Sequence, residues 1–290
     1  MAKQLTIKKD NALINAAYTL TLAEQRLILL SSAQADGDAD ELKDITIYAE
    51  QYAEAFKVSR QAAYMALKDA ADSLFERRFS YERLTPKGNI STAKRRWVGG
   101  VDYVENEGRI VLQYHKDVIP LLCELKSKFT LYALEQVADL TSVHAVRLYE
   151  LLIAWRSTGK TPVYELAEFR RKLGIEPDEY PRMTDFKRWV LDAAVKQINA
   201  HTDITAAYEQ HKRGRSITGF SFTFAARNER DPNTIDMLTG STDAEAGRKR
   251  SRQTISKSKA ESMARPGESY QELYKRLSRD YIIQLKTGGK

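Results

Sequence analysis

Basic and polar side chains cluster at two places in the C-terminal half of the sequence. The first set opens a predicted long helix over 184–200 and consists of Arg182, Thr184, Lys187 and Arg188. Where such a helix enters the major groove of DNA, Arg and Lys can bond guanine O6 and N7. The second set surrounds a predicted turn at Gly214, suits contact with phosphates, and consists of Lys212, Arg213 and Arg215. Each set could instead be an ordinary solvated surface. The secondary-structure elements around each set therefore determine whether it is interpreted as a DNA-binding site.

The N-terminal half carries a secondary set of candidates. On its predicted long helix these are Arg60, Gln61 and Lys68, with Ser59 and Tyr64 beside them. On the strand that follows, they are Lys94, Arg95 and Arg96. The same two kinds of position, a helix and a hairpin, therefore carry polar and basic groups in both halves.

The strongest enzyme-like signal is the segment AWRSTGKT at 154–161, which fits a relaxed phosphate-loop pattern. A working loop follows a strand and precedes a helix, so that backbone N–H groups converge on phosphate. Here the predicted order is reversed, and Gly159 is more simply the residue that ends a helix. ATP hydrolysis is kept as an alternative hypothesis, and loss of nucleotide binding in a Lys160→Ala variant would support it.

Other catalytic patterns are missing from the sequence. The four histidines (His115, His144, His201 and His211) include no His-x-His or i, i+4 pair, and Cys123 is a single cysteine in an apolar run. Metal sites and activated thiols need closer groupings of such residues. We therefore expect no enzyme activity, no catalytic residues, no metal and no cofactor.

The elements that would position these groups form a repeat. Ile45–Tyr48 and Thr161–Tyr164 are each predicted to be a short strand, and each is followed by a short helix, a longer helix containing Asp-Ala-Ala, and a hairpin. A capping-box pattern at Thr21–Glu24 opens a helix upstream of the first unit, and Thr141 opens one upstream of the second. This order is typical of a winged helix. The fold class is therefore predicted to be α+β, with two tandem winged-helix (helix-turn-helix variant) domains.

Apolar spacing predicts which side chains face the cores. In the second long helix the inward stripe is expected to consist of Phe186, Trp189, Val190, Ala193 and Ala194, with Leu191 on the polar face. The first hairpin is expected to turn at 86–88 and to use Phe79, Tyr81, Trp97, Val101 and Tyr103. Leu13, Leu20 and Leu27 are seven residues apart but the repeat stops there, so we interpret them as core rather than coiled coil.

Charge is distributed unevenly along the 290 residues. The net charge is +7, but residues 241–290 hold 12 Lys and Arg against 6 Asp and Glu, which leaves 34 against 33 in the preceding 240 residues. DNA binding by this nearly neutral body would depend on local patches. The N-terminus lacks an apolar signal, and no window approaches the roughly 18 apolar residues of a membrane span. These features predict a cytoplasmic protein.

The domain organisation predicted from these patterns has three parts. Residues 1–115 form the N-terminal winged-helix domain, residues 116–230 the C-terminal one, and residues 231–290 a flexible basic tail. Within the tail, residues 268–285 have the spacing of a short amphipathic helix.

Three separated motifs occur in the order found in one known family. NALINAAYTLTLAEQRLILL at 11–30, MTDFKRWVLDAAVKQINAHTDI at 183–204 and ITGFSFTFAAR at 217–227 resemble the iteron-binding plasmid replication initiators. The resemblance implies that a monomer binds direct repeats (iterons) in double-stranded plasmid origin DNA and helps to open the duplex. It implies main contacts by the C-terminal domain and secondary contacts and dimerisation by the N-terminal one.

The resemblance also implies partners and a cellular setting. The expected partners are the host replication initiator, the replicative helicase and, in a form that represses its own gene, a second copy of the chain. The expected setting is the bacterial cytoplasm. A winged-helix transcriptional repressor without initiator activity is the alternative. Two non-identical units favour one monomer on an extended asymmetric site, whereas a repressor usually places one module per subunit on a palindrome.

Overall fold

The computed structural model divides into two compact units, residues 1–234 and residues 235–290. The structure describes residues 5–35, 38–85, 87–123, 129–227, 253–256 and 281–284. The first unit contains two winged-helix modules, which confirms the predicted fold class.

The N-terminal module combines a helical core with two small sheets. Its elements are β1 (Thr6–Asp10), α1 (Asn11–Ile14), β2 (Ala17–Tyr18), α2 (Leu22–Ala35), β3 (Ile45–Tyr48), α3 (Ala49–Phe56), α4 (Arg60–Leu74), β4 (Arg78–Leu84), β5 (Ile90–Arg96), β6 (Val98–Val104), β7 (Arg109–Tyr114) and α5 (Ile119–Leu122). The antiparallel sheets have strand orders β2-β4-β5 and β3-β7-β6. Helix α4 is the long helix of this module, its short strand β3 pairs with the hairpin β6–β7, and β4 and β5 form a separate hairpin that directly follows α4.

Local sequence explains where the helices of this module begin. The Thr21 backbone N–H donates to Glu24 at 2.7 Å and the Glu24 N–H donates to the Thr21 hydroxyl at 3.2 Å, which confirms the predicted capping box. The Ser59 hydroxyl accepts from the Ala62 N–H at 3.1 Å and caps α4. Leu13, Leu20 and Leu27 are buried, as predicted.

The second half repeats the order of short strand, helix, long helix and hairpin. Its elements are β8 (Phe129–Ala133), α6 (Glu135–Ala138), α7 (Val143–Ile153), β9 (Tyr164–Glu165), α8 (Leu166–Lys172), α9 (Met183–Asp185), a π-helical segment (Phe186–Asp192), α10 (Ala193–His201), β10 (Ile204–Arg213) and β11 (Ser216–Ala226). The sheet order is β10-β11-β9, and β8 pairs with β1 of the first half. The boundary at 115/116 stays a prediction.

The first predicted hairpin is wrong in its second arm. Strand β4 pairs with β5, whereas Val101 and Tyr103 lie in β6, which pairs with β7 in the other sheet. Trp97 lies between β5 and β6, where its fully buried ring contacts Tyr18 at 5.0 Å and Phe79 at 4.8 Å between centroids. The chain therefore passes from one sheet to the other at the buried Trp97. The alternation of apolar and polar residues in the sequence does not reveal this crossing.

The predicted inward stripe of the second long helix is also partly wrong. Phe186, Val190 and Ala194 are buried as expected, but Leu191 is fully buried and Trp189 is 57% exposed. Residues 186–192 form a π-helical segment, whose i→i+5 hydrogen bonds widen the turn beyond the 3.6 residues of an α-helix. Within this wider turn Leu191 faces the core and Trp189 faces solvent.

A buried polar network holds the N-terminal segment against α7 and α8. The Arg147 guanidinium, 1% exposed, donates to the backbone oxygens of Ile14, Ala16 and Lys172 at 2.8–3.0 Å and to the Glu150 carboxylate at 2.8 Å. Its fifth donor bonds the hydroxyl of Tyr18, over whose ring it also lies. One side chain therefore joins segments 133 residues apart.

The second unit contains two described strands. Gln253–Ser256 and Tyr281–Gln284 pair in parallel. The amphipathic helix predicted over 268–285 is therefore wrong at 281–284, where the β-branched Ile282 and Ile283 instead pair with Thr254 and Ile255. The rest of that helix and of the predicted flexible tail lies outside the described residues.

Candidate nucleic-acid interface

The start of the second long helix presents two of its four candidates freely. Thr184 and Arg188 are exposed, as is Arg182, whose Nε donates to Asp185 at 2.6 Å. An i, i+3 ion pair at an exposed helix start is weak. Arg182 can therefore exchange this partner for another anion at little cost.

Lys187 has a different environment because it faces the wing. Its Nζ donates to the Gln210 side chain at 3.2 Å and lies 5.9 Å from the ring centroid of Tyr208. The Tyr208 hydroxyl in turn donates to Asp192 at 2.7 Å. Burial and the nearby Asp192 raise the pKa of Tyr208 above its usual value, so the phenol stays protonated and keeps this bond. Helix and wing are thus fastened together by polar contacts.

Arg188 lies beside a residue that the sequence analysis placed in the core. Its guanidinium carbon is 4.7 Å from the ring centroid of Trp189. An exposed aromatic face stabilises a guanidinium by a cation–π contact and restricts its rotamers. The two side chains form one exposed group near the start of the helix. A π-helical segment leaves no periodic signal, so the sequence offered no means of finding Trp189.

The tip of the C-terminal wing carries three exposed cations. Lys212, Arg213 and Arg215 surround Gly214, whose φ of +63° suits glycine at the turn. A register shift between His211 and Lys212 turns the end of the hairpin. Within the described part of the chain, these three side chains have no acidic partner. The structure therefore confirms the turn and leaves its charge uncompensated.

The N-terminal long helix presents a mixed outer face. Gln61 is exposed, Arg60 pairs with Glu50 at 2.7 Å and Lys68 with Glu105 at 3.5 Å. Met65 lies between Gln61 and Lys68 on this face and is 55% exposed. Sequence reasoning missed Met65 because a methionine in an amphipathic helix normally marks the core.

The three basic residues of β5 divide into two groups. Arg95 pairs with Asp117, and Arg96 pairs with Glu76 at 3.1 Å and lies over the ring of Phe75. Lys94 is exposed and has no acidic partner among the described residues. The contacts of Arg95 and Arg96 give these two side chains a structural function, while Lys94 keeps its charge available.

The phosphate-loop-like segment has the geometry of a helix end. Helix α7 precedes it, Gly159 has φ +63°, and Lys160 forms an isolated bridge with Thr223 of β11. The Gly159 N–H donates to Trp155 O at 3.0 Å. The predicted order of helix before and strand after is confirmed. No set of three or more metal-ligating side chains occurs among the described residues.

Family comparison identifies both halves of the first unit. The model for "Initiator Replication protein, WH1" matches residues 6–153, and that for "Initiator Rep protein, WH2" matches residues 165–224. The chain belongs to the initiator replication protein family.

Individual relatives of this initiator include two Escherichia coli proteins. A 27.6 kDa protein described as uncharacterized is 28% identical over 227 residues, covering 74% of this chain and 93% of the relative. A replication initiation protein is 26% identical over 220 residues, covering 73% and 67%. The crystal structure of Pi initiator protein in complex with iteron DNA superposes with a TM-score of 0.64 at 23% identity, covering 79% of this chain and all of the other. That likeness shows a shared fold.

Among the helices that the structure describes, none has the length and apolar character needed to cross a bilayer.

Proposed function

We propose that this initiator binds iterons in double-stranded plasmid origin DNA as a monomer and thereby promotes opening of the duplex. The observation that carries the proposal is the uncompensated charge of the C-terminal wing tip beside a helix that presents Thr184 and Arg188 to solvent. The related Pi initiator, crystallised with iteron DNA, supports a ligand of the same kind.

The C-terminal module is proposed to supply the main contacts. Arg188, held against Trp189, would bond guanine in the major groove, with Thr184 and Arg182 beside it. Lys187 would contribute through the wing to which it is bonded. The wing tip, consisting of Lys212, Arg213 and Arg215, would contact phosphates and position the helix without reading sequence.

The N-terminal module is proposed to add secondary contacts. Arg60, Gln61 and Lys68 lie on one long helix, and their ion pairs are exposed and therefore easily replaced by phosphate. Strand β5 adds Lys94, Arg95 and Arg96. Of these, Lys94 can contact phosphate without first breaking an ion pair. Because the two modules differ in sequence, one chain is suited to an asymmetric site.

Assembly at the origin follows from the family resemblance. The host replication initiator and the replicative helicase are the proposed partners once repeated sites are filled. Dimers joined through the N-terminal module are proposed to repress the initiator's own gene at an inverted repeat. These steps need no catalytic group or cofactor in this chain.

The test is footprinting on the plasmid's own origin at about 150 mM salt, with a random duplex of equal length as the control. Protection of evenly spaced direct repeats, with a specificity ratio on the order of a thousand or more, is expected. Salt-sensitive binding without a footprint would refute the proposal. Protection of a single palindrome alone would favour a repressor.

A further inference from the structure

A cleft of about 620 Å³ lies between the two modules and is lined with cations. Its N-terminal wall includes Arg77, Arg78 and Lys94, and its C-terminal wall includes Arg171 of α8. Two carboxylates, those of Glu76 and Glu176, also line it. The cleft is therefore positively charged on balance and is distinct from the long helices and from the C-terminal wing tip.

The two carboxylates that line the cleft have different partners. Glu76 accepts from Arg96 at 3.1 and 3.2 Å, whereas Glu176 accepts from the hydroxyl of Thr19, a neutral residue of the same lining, at 2.8 Å and keeps its charge. Arg77 is bonded to the buried Glu24 at 2.8 Å. Arg78, Lys94 and Arg171 are exposed and have no acidic partner within the described residues. Three cations from three elements thus line one cleft, and none of them is held in an ion pair with a described residue.

The β4–β5 hairpin places two of these cations on one face. Lys94 lies directly opposite Ser80 in the β4–β5 ladder, so it shares a face with Arg78, two residues from Ser80. Diagonal neighbours on one face are about 7–8 Å apart, and like charges placed on neighbouring strands repel. A bound anion would relieve this repulsion.

The two walls of the cleft contact each other directly. Thr19 bonds Glu176, and a Cβ built on Gly174 (φ +75°) would lie 2.6 Å from Tyr18 O. The backbones of the two modules therefore approach so closely that only glycine fits at residue 174. The backbone positions of the cations are therefore set by the fold before an anion binds, which reduces the cost of ordering the site.

We infer that this cleft is a phosphodiester site that binds the DNA backbone between the two half-sites read by the long helices. Guanidinium groups bond phosphate oxygens in pairs, and the ammonium group adds a point charge. A duplex read by two linked modules must carry its backbone across the space between them. This inference rests on the proposed function and adds a contact that spans both modules.

The experiment uses the full chain with Arg78→Ala, Lys94→Ala, Arg171→Ala and the triple variant. Lys116→Ala is the matched control, because Lys116 is an exposed cation that does not line the cleft. Binding to an iteron duplex is measured by fluorescence anisotropy over a range of salt. Each single cleft variant is expected to make the slope of log K against log[salt] shallower by about 0.9 and the triple variant by about 2.7, whereas Lys116→Ala leaves it unchanged. Urea unfolding checks that every variant folds.

Ethylation interference then locates the contact. In the wild type, ethylated phosphates between the two half-sites should block binding, and the triple variant should lose this interference while keeping its base contacts. Slopes equal to that of Lys116→Ala, or unchanged interference between the half-sites, would overturn the inference. A wild type without a repeat footprint would instead refute the proposed function, and the slopes on random duplex would still test the cleft.

Discussion

Replacing Arg147 by methionine removes the side chain that ties together three segments of the first unit. The wild-type guanidinium makes one ion pair and four further hydrogen bonds, and it is 1% exposed. Methionine fills a similar volume but donates no hydrogen bond. The buried carbonyl groups of Ile14 and Ala16 and the partly buried carbonyl of Lys172 would lose their donor.

These contacts determine how much the substitution is expected to lower the free energy of unfolding. Breaking a buried ion pair by removing one partner typically costs 3–5 kcal/mol, because the remaining charge stays buried. Glu150 retains Lys9 at 2.5 Å and the Tyr132 hydroxyl at 2.6 Å, which reduces that part of the cost. Each unsatisfied carbonyl adds about 1–3 kcal/mol, not additively. We expect Arg147→Met to lower the free energy of unfolding by about 4 kcal/mol.

The assay is equilibrium urea unfolding followed by circular dichroism, with two companion variants. Arg147→Lys keeps the charge but has fewer donors, so its loss should be about half as large. Arg156→Ala removes a half-exposed pair with Asp203 and should cost about 0–1 kcal/mol. If Arg147→Met lost no more than Arg156→Ala, the network would not hold the modules together as argued.

Three further predictions concern recognition and pH. Arg188→Ala should weaken binding to the iteron by about 1–3 kcal/mol and relax sequence preference. Arg213→Ala should weaken binding to specific and random duplex alike, with a shallower dependence of affinity on salt. Equal losses of affinity on both DNAs for Arg188→Ala would show that Arg188 does not read bases. Trp189→Ala should reduce iteron specificity about as much as Arg188→Ala, while the free energy of unfolding in urea stays within about 0.5 kcal/mol of the wild type because the ring is exposed. Trp189→Phe should restore part of the specificity. An unchanged specificity ratio in Trp189→Ala would contradict a role for the ring in holding Arg188. Burial opposes ionisation of Glu150, but Lys9 and Arg147 outweigh it and hold the pKa of this carboxyl below the ordinary 4.5. The ionised carboxylate therefore stabilises the fold above pH 4.5, and this contribution is lost as pH falls through the lower folded pKa. The free energy of unfolding, measured at pH 7 and pH 4, should accordingly fall less in Glu150→Gln than in the wild type.

The sequence by itself determined the repeated order of elements and several of their ends. Capping at Thr21 and Ser59, the turn at Gly214 and the helix end at Gly159 depend on residues close together in the chain. Hydrogen bonds and apolar periodicity within a few residues leave a direct pattern in the amino-acid types. The family motifs lie in these same locally specified segments.

Tertiary structure alone decided which charges remain available and which aromatic residues face solvent. Arg95 and Arg96 have the same residue type as Arg188, yet they pair with Asp117 and Glu76, which lie about 20 residues away in the chain. The exposure of Trp189 depends on a π-helical turn, and the contacts of Arg147 join residues more than 100 positions apart. Such pairings are set by proximity in the folded chain, and proximity between distant segments leaves no pattern in a single sequence.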